Sequence, residues 1–242
     1  MRSGLIVAAA ILLWTAGATF AQDVPAAPPP SEATTPSPTD TVAPPAIAAP
    51  VPLLANPPMT GPQILISTAM GDITLQLDAV RAPKSVASVL RYAKDRHYNG
   101  TVVYRVVKGF IIQMGSWDAN VKGRPGHAPS PLEANNGLSN LRGTAALAHG
   151  DDLMASADFF INVADNTALD HKADDSGNTT GFTVFGQVIS GMDVVDAISK
   201  VPVGDHGPMP GQAPVDPILI KKVAAVGEPE PPAPKTAPQK KK

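Results

Sequence analysis

Between Val103 and Gly115 the chain reads Val-Tyr-Arg-Val-Val-Lys-Gly-Phe-Ile-Ile-Gln-Met-Gly, which puts a cation (Arg105), a bulky ring (Phe110) and an amide (Gln113) on one strand-turn-strand pattern. A guanidinium is permanently charged and carries several N–H donors, so such a residue works by hydrogen bonding and not as an acid or base. Patterns that would announce other chemistry are missing from the sequence: no HExxH, nucleophile elbow, phosphate loop or dinucleotide fingerprint. The five histidines, His97, His127, His149, His171 and His206, stand singly with no second ligand at a helical or turn spacing, so no metal site is expected. The loop from Asp170 to Asn178 gathers Asp170, Asp174, Asp175 and Asn178, which could touch a calcium ion. It lacks the alternate ligands and closing Glu of a binding loop and reads better as a solvated acidic loop. The triplets Asn99-Gly100-Thr101 and Asn178-Thr179-Thr180 fit a glycosylation acceptor, a pattern short enough to arise by chance.

The elements that must position these residues are short. Runs Ile64 to Thr68 and Ile73 to Leu77 flank Ala69-Met70-Gly71-Asp72, where Gly can supply a hairpin turn. Pro83 opens a stretch with Val86, Val89, Leu90 and Ala93 at helical spacing, and proline is tolerated in a first helical turn. Further strands are predicted at Thr101 to Val106, Phe110 to Met114, Thr144 to Ala148, Phe159 to Val163, Thr183 to Val188 and Ile218 to Val226, and a second helix at Met192 to Lys200. Short alternating runs separated by Gly, Pro, Asn and Asp predict a mainly β antiparallel barrel or sandwich within residues 63–226. No internal repeat is present.

Both ends of the 242-residue chain differ from this middle. Arg2, the apolar run Leu5 to Trp14 and the small residues before Ala21 have the layout of a secretory signal, assigned to residues 1–21. Residues 22–62 are mostly Pro, Ala, Thr and Ser and read as a disordered, semi-rigid linker; residues 227–242 read as a similar Pro- and Lys-rich tail. With no cysteine, the folded part must rely on its hydrophobic core. A net charge of −2 gives no electrostatic ground for nucleic-acid binding. A soluble monomer with no stable membrane insertion after signal removal is expected.

Three stretches in order carry a family resemblance: Val103 to Gly115, then Ser156-Ala157-Asp158-Phe159-Phe160-Ile161-Asn162-Val163-Ala164-Asp165-Asn166 with Leu169-Asp170, then Val184-Phe185-Gly186-Gln187-Val188-Ile189-Ser190-Gly191-Met192-Asp193. Together they resemble the cyclophilins, and the chain looks closest to periplasmic bacterial members. The resemblance implies a closed eight-stranded antiparallel β-barrel capped by two α-helices. It implies peptidyl-prolyl cis/trans isomerase activity without a cofactor, acting on Pro-containing unfolded or partly folded exported proteins in the periplasm. By resemblance Arg105 is the catalytic residue, Phe110, Ile111, Phe160, Leu169 and Phe182 line a proline slot, and Gln113, Ala148, His149 and Asp158 occupy further substrate-binding positions. Tyr104 stands where the family usually has His, Met114 where it often has Gly, and Asp158 where it usually has Gln. That Asp could pair with Arg105 or repel acidic substrates, while Met114 brings a large side chain close to Gln113. His149 replaces a common Asn, and Ala168 replaces the Trp that helps many members bind cyclosporin, so weak cyclosporin inhibition is expected. The alternative reading is a non-catalytic module for Pro-containing segments or a chaperone on the same barrel. A further one gives recognition to the Pro-rich arms.

Overall fold

The computed structural model describes residues 55–150, 154–173 and 179–227. The expected signal, the linker up to residue 54, Asp174, Asp175 and Asn178 of the acidic loop, and the tail from residue 228 lie outside them. Eight strands carry the fold: β1 (Gln63–Thr68), β2 (Gly71–Leu77), β3 (Thr101–Val107), β4 (Ile111–Asp118), β5 (Thr144–His149), β6 (Met154–Asn162), β7 (Val184–Ser190) and β8 (Ile218–Ala225). They run antiparallel in the order β4-β3-β8-β1-β2-β7-β5-β6, and pairing of β6 with β4 closes the barrel. Closure leaves no free edge along this circuit. All eight lie where alternation or apolar runs predict strands.

The inside of the barrel is filled by one face of each strand. Ile64 and Ile66 of β1, Ile73, Leu75 and Leu77 of β2 and Ile112 of β4 are fully buried with Phe159 and Phe185, while the intervening residues of β1 and β2 remain partly accessible. Each such aliphatic side chain removed from water contributes about 1.5–3 kcal/mol. The β1–β2 hairpin is tighter than the four-residue turn suggested by sequence, because Thr68 pairs with Gly71 across it. Thr68 Oγ1 donates to the Gly71 carbonyl at 2.7 Å and accepts from the Met70 N–H at 3.0 Å.

Helix α1 (Pro83–Lys94) packs Val86, Val89, Tyr92 and Ala93 inward and starts with proline in its first turn. Its free N-terminal donors are met from a distance: the Glu133 carboxylate accepts from Lys84 N (3.1 Å), Ser85 N (2.8 Å) and Ser85 Oγ (2.8 Å). Helix α2 (Met192–Ile198) is shorter than the predicted Met192 to Lys200. Its final turn tightens into three-residue bonds, Lys200 N to Ala197 O and Val201 N to Ile198 O, which end the α-helical ladder.

Residues 55–62, which composition places in the linker, lie against the barrel. Asn56 uses its side-chain amide as a peptide group would, donating to Ser139 O and accepting from Ser139 N, both at 2.8 Å. Pro62 O accepts from Leu77 N at 2.9 Å. Composition misses this because the holding groups are one Asn and main-chain carbonyls, not an apolar pattern. Among the described residues no helix is long and apolar enough to cross a membrane.

Candidate active site

Strand register assembles the site on the outer wall of the barrel. Arg105 of β3 is opposite Gln113 of β4, Gln113 is opposite Phe160 of β6, Phe160 is opposite Ala146 of β5, and Ala146 is opposite Val184 of β7. Directly opposed residues share a face of a sheet, so these five form a continuous row away from the interior. Simple alternation does not put Arg105 there, since Val103 packs in the interior and two residues on should follow it. The register shifts between Val103 and Arg105, with Val103 opposite Met114 and Arg105 opposite Gln113. Tyr104 is thus the extra residue of a β-bulge, a device that re-aims neighbouring side chains.

Arg105 is held at two points. Its Nε donates to Gln212 Oε1 at 2.6 Å, and an Nη donates to Gln113 Oε1 at 3.0 Å. A guanidinium has five N–H donors, so these contacts fix the fork and leave three for another molecule. Gln113, 7% exposed, is itself anchored: Nε2 donates to the Tyr104 hydroxyl at 2.5 Å. The Tyr104 ring also lies 6.2 Å from Trp117, centroid to centroid.

Beside this polar corner lies an apolar cluster separate from the barrel interior. Ile111 and Phe160 pack with Leu138, Ala146 and Val184, and the half-buried Phe110, Leu169, Phe182 and Ala148 pack against them. All six apolar residues expected by resemblance therefore come together. Phe160 and Phe182 meet edge to face at 5.4 Å between centroids. Buried amides tie the walls of the slot to one another. Asn166 Nδ2 donates to Phe110 O (2.9 Å) and Asn162 Oδ1 (2.7 Å), and Asn162 Nδ2 donates to Thr144 Oγ1 (2.9 Å) and Asn140 Oδ1 (3.2 Å). Asp170, next to Leu169, accepts from Asn140 N at 2.6 Å and Nδ2 at 3.0 Å. Phe182 N donates to Leu169 O, joining the last two walls directly.

Three sequence expectations change here. Asp158 does not pair with Arg105: Oδ1 accepts from Ser116 N at 3.0 Å and Oδ2 from Ser116 Oγ at 2.9 Å. It is held by Gly115–Ser116 of β4, where a Cβ on Gly115 would lie 2.6 Å from Asp158 Cα. Met114 does not crowd Gln113, because it points to the opposite face and is 1% exposed in the barrel interior. His149 is not a free replacement for an Asn donor: its ring nitrogens face Gly150 O (2.8 Å) and Gly181 O (3.0 Å), and its ring stacks on Phe182 at 4.5 Å. Burial pushes the Asp158 carboxyl above its ordinary 3.8, against the Ser116 hydrogen bonds that favour the ionised form. Burial also pushes the Tyr104 phenol well up, so it remains a proton donor.

Gln212, Ser116 and the Asn140–Asn162–Asn166 set were not singled out by sequence. Asn162 carried a usable signal, a lone amide following Phe159-Phe160-Ile161 on a strand, which must find partners if buried. Gln212 had none, since only the fold brings it 107 positions back to Arg105. Among the described residues no group of three or more His, Cys, Asp or Glu is placed to hold a metal.

Comparison with known proteins agrees with this geometry. The family model "Cyclophilin type peptidyl-prolyl cis-trans isomerase/CLD" matches residues 63–225. Peptidyl-prolyl cis-trans isomerase A of Dickeya dadantii is 40% identical over 168 residues, covering 69% of this chain and 86% of that protein. Peptidyl-prolyl cis-trans isomerase B of Escherichia coli is 38% identical over 161 residues, 66% of this chain and 97% of that protein. A crystal structure of a Cryptosporidium parvum cyclophilin-type isomerase superposes with a TM-score of 0.55 at 23% identity, covering 69% of this chain and 99% of that one. The same protein crystallised in the presence of the dipeptide Ala-Pro gives 0.53. A closed barrel with a tethered arginine beside an apolar slot, and a sequence match across that whole barrel, place the chain in the cyclophilin family of peptidyl-prolyl cis-trans isomerases.

Proposed function

We propose that the chain is exported and accelerates X-Pro isomerisation in exported polypeptides, with Arg105 as the catalytic residue and the outer-wall cluster as the proline slot. The observation that carries the site reading is the pairing of a doubly tethered guanidinium with that slot. Twisting an X-Pro bond breaks amide resonance, and uncatalysed exchange takes roughly 10–100 s. No covalent bond changes partners. In the twisted state the proline nitrogen becomes pyramidal and regains a lone pair that a fixed donor can meet.

The proline ring sits among Phe110, Ile111, Phe160, Leu169 and Phe182, with Ala148 and His149 at its rim. Gln113 and the remaining donors of Arg105 take the substrate carbonyl. As the bond twists, one Arg105 N–H meets the nitrogen lone pair, and no proton leaves the guanidinium. The Ala-Pro dipeptide used with the Cryptosporidium parvum isomerase is the minimal ligand of this type. Asp158 acts by supporting the site, in place of contacting substrate, because both its oxygens already serve Ser116.

The periplasmic setting rests on the signal-like residues 1–21. In a bacterial host the mature protein, lacking those residues, is expected in osmotic-shock fluid as a monomer. There it shortens the slow, proline-limited refolding phase of an exported protein, whereas Arg105→Ala does not. Recovery of the bulk in membranes after high-salt washing overturns the soluble periplasmic assignment. Peptide binding by wild type without faster exchange leaves a binding module on this barrel.

A further inference from the structure

Arg105 is tethered by Gln113 on the side of the proline slot and by Gln212, in the loop before β8, on the other. Beyond Gln212 lies a second apolar recess, a cleft of about 320 Å³ counted out to its open mouth, which shares none of the slot's residues. We infer that this cleft is a specificity subsite that takes an apolar side chain, such as Leu, from the first or second residue after the proline. The inference rests on Arg105 as the catalytic residue and on the outer-wall cluster as the proline slot.

The cleft is built from groups that adjoin both tethers. Val102 and Tyr104 of β3 and Trp117 of β4 form one wall, and Pro208, Pro214 and Pro217 line the other. Tyr104 precedes Arg105 in the chain, and its hydroxyl accepts from Gln113. Ala213, also in the lining, follows Gln212. The loop is pinned to β3 by Val106 N donating to Gln212 O at 2.7 Å, and His206 Nε2 donates across it to Pro214 O. Walls of aromatic rings and prolines have few rotamers to lose, so binding between them costs little ordering.

The rim carries backbone strain that packing alone does not call for. Val121 has φ 60°, a left-handed conformation that a β-branched residue rarely adopts, and it is 40% exposed at the cleft. The turn holds it there. Val121 N donates to Asp118 O at 3.0 Å, Asp118 N donates to Lys122 O at 3.1 Å, and Asp118 Oδ1 accepts from Asn120 N at 2.9 Å and Lys122 N at 3.0 Å. Asn or Gly would fit this backbone at lower cost, yet the chain presents a branched apolar side chain beside Trp117.

The path of the substrate follows from what Arg105 must reach. A donor that meets the proline nitrogen is also close to the proline's own carbonyl, two bonds further along, and from that carbonyl the next residue leaves. The slot occupies the β4–β6–β5–β7 side of Arg105, so the departing chain passes the β3–β8 side, where the cleft opens. An extended chain advances about 3.3 Å per residue, which brings the first or second side chain after the proline to the neighbourhood of Tyr104.

The test uses the full chain and X-Pro peptides with Leu at the first or second position after proline, Leu two positions before it, or Ala throughout. Exchange spectroscopy gives turnover and titration gives affinity. Leu after the proline should raise kcat/KM about five- to tenfold over Ala. Trp117→Ala and Val121→Asn should each bring that ratio within about twofold of one. Val121→Asn should at the same time melt no lower than wild type, because Asn accepts the left-handed backbone; a valine with a merely structural role would change stability and leave the ratio alone. The Trp117 indole resonance should shift with the Leu peptide and not with the Ala peptide. If Trp117→Ala does not fold, Val121→Asn decides alone. Equal rates for Leu and Ala after the proline, a preference that survives Val121→Asn, or a preference confined to Leu before the proline each overturns the subsite. An Arg105→Ala variant as active as wild type would instead remove the reading on which it rests.

Discussion

Gln212→Ala should slow the isomerase several-fold without unfolding it. Gln212 Oε1 accepts from Arg105 Nε at 2.6 Å, one of the two contacts that fix the guanidinium. A hydrogen bond to a charged group is worth about 1.5–3 kcal/mol net. Gln212 is only partly buried, so water replaces its oxygen and the loss falls towards about 1 kcal/mol. At about 1.4 kcal/mol per tenfold in rate, the expected fall in kcat/KM is roughly three- to tenfold. The loop itself should hold, because the backbone bond from Val106 N to Gln212 O, 2.7 Å, does not involve the side chain. Two-dimensional exchange NMR on a short X-Pro peptide measures the rate with no protease present. Gln212→Glu keeps an acceptor at the same reach and should stay within about twofold of wild type. A Gln212→Ala enzyme at the wild-type rate, or a Gln212→Glu enzyme as slow as Gln212→Ala, refutes the view that this tether positions Arg105.

Phe182→Ala removes a half-buried ring from the slot and should weaken peptide binding by roughly 5- to 30-fold, with a melting shift of about 2–6 °C; titration and thermal unfolding check both. Because burial raises the Asp158 pKa in the folded state, its contribution to stability is full below 3.8 and is lost as pH rises through the raised value. The stability of Asp158→Asn relative to wild type should therefore increase with pH across that window, measured as denaturant midpoints; a constant difference contradicts the raised pKa. Cyclosporin should inhibit weakly, since Ala168 is exposed and small, and Ala168→Trp should tighten inhibition at least about tenfold by adding an aromatic contact.

The barrel was legible from sequence because its strands are short alternating or apolar runs bounded by Gly, Pro, Asn and Asp. The wall residues were legible only through ordered motifs, since Phe160 or Leu169 alone is indistinguishable from packing. What stayed hidden has physical causes. Strict alternation puts Val103 and Arg105 on one face, and the bulge at Tyr104 that separates them is set by pairing with β4, not by any residue type. The run starting at Phe159 concealed the earlier start of β6 at Met154, because the buried positions of that part are the small Ala155 and Ala157, which carry little apolar signal. Asp158 looked like a partner for Arg105 by charge alone; its oxygens are instead satisfied by Ser116, which the close approach of β4 at Gly115 brings alongside. Gln212 and Asn56 act through contacts 107 and 83 positions away, beyond what local pattern carries.

The most direct measurement is exchange of an X-Pro peptide by wild type and Arg105→Ala at equal folded concentration, with peptide affinity taken in parallel. A preorganised donor aimed at developing charge is worth roughly 100-fold or more. Wild type should accelerate exchange, and Arg105→Ala should lose at least about that factor while still binding the peptide. An Arg105→Ala enzyme that keeps its rate would contradict the central claim and move the catalytic donor elsewhere on the barrel wall.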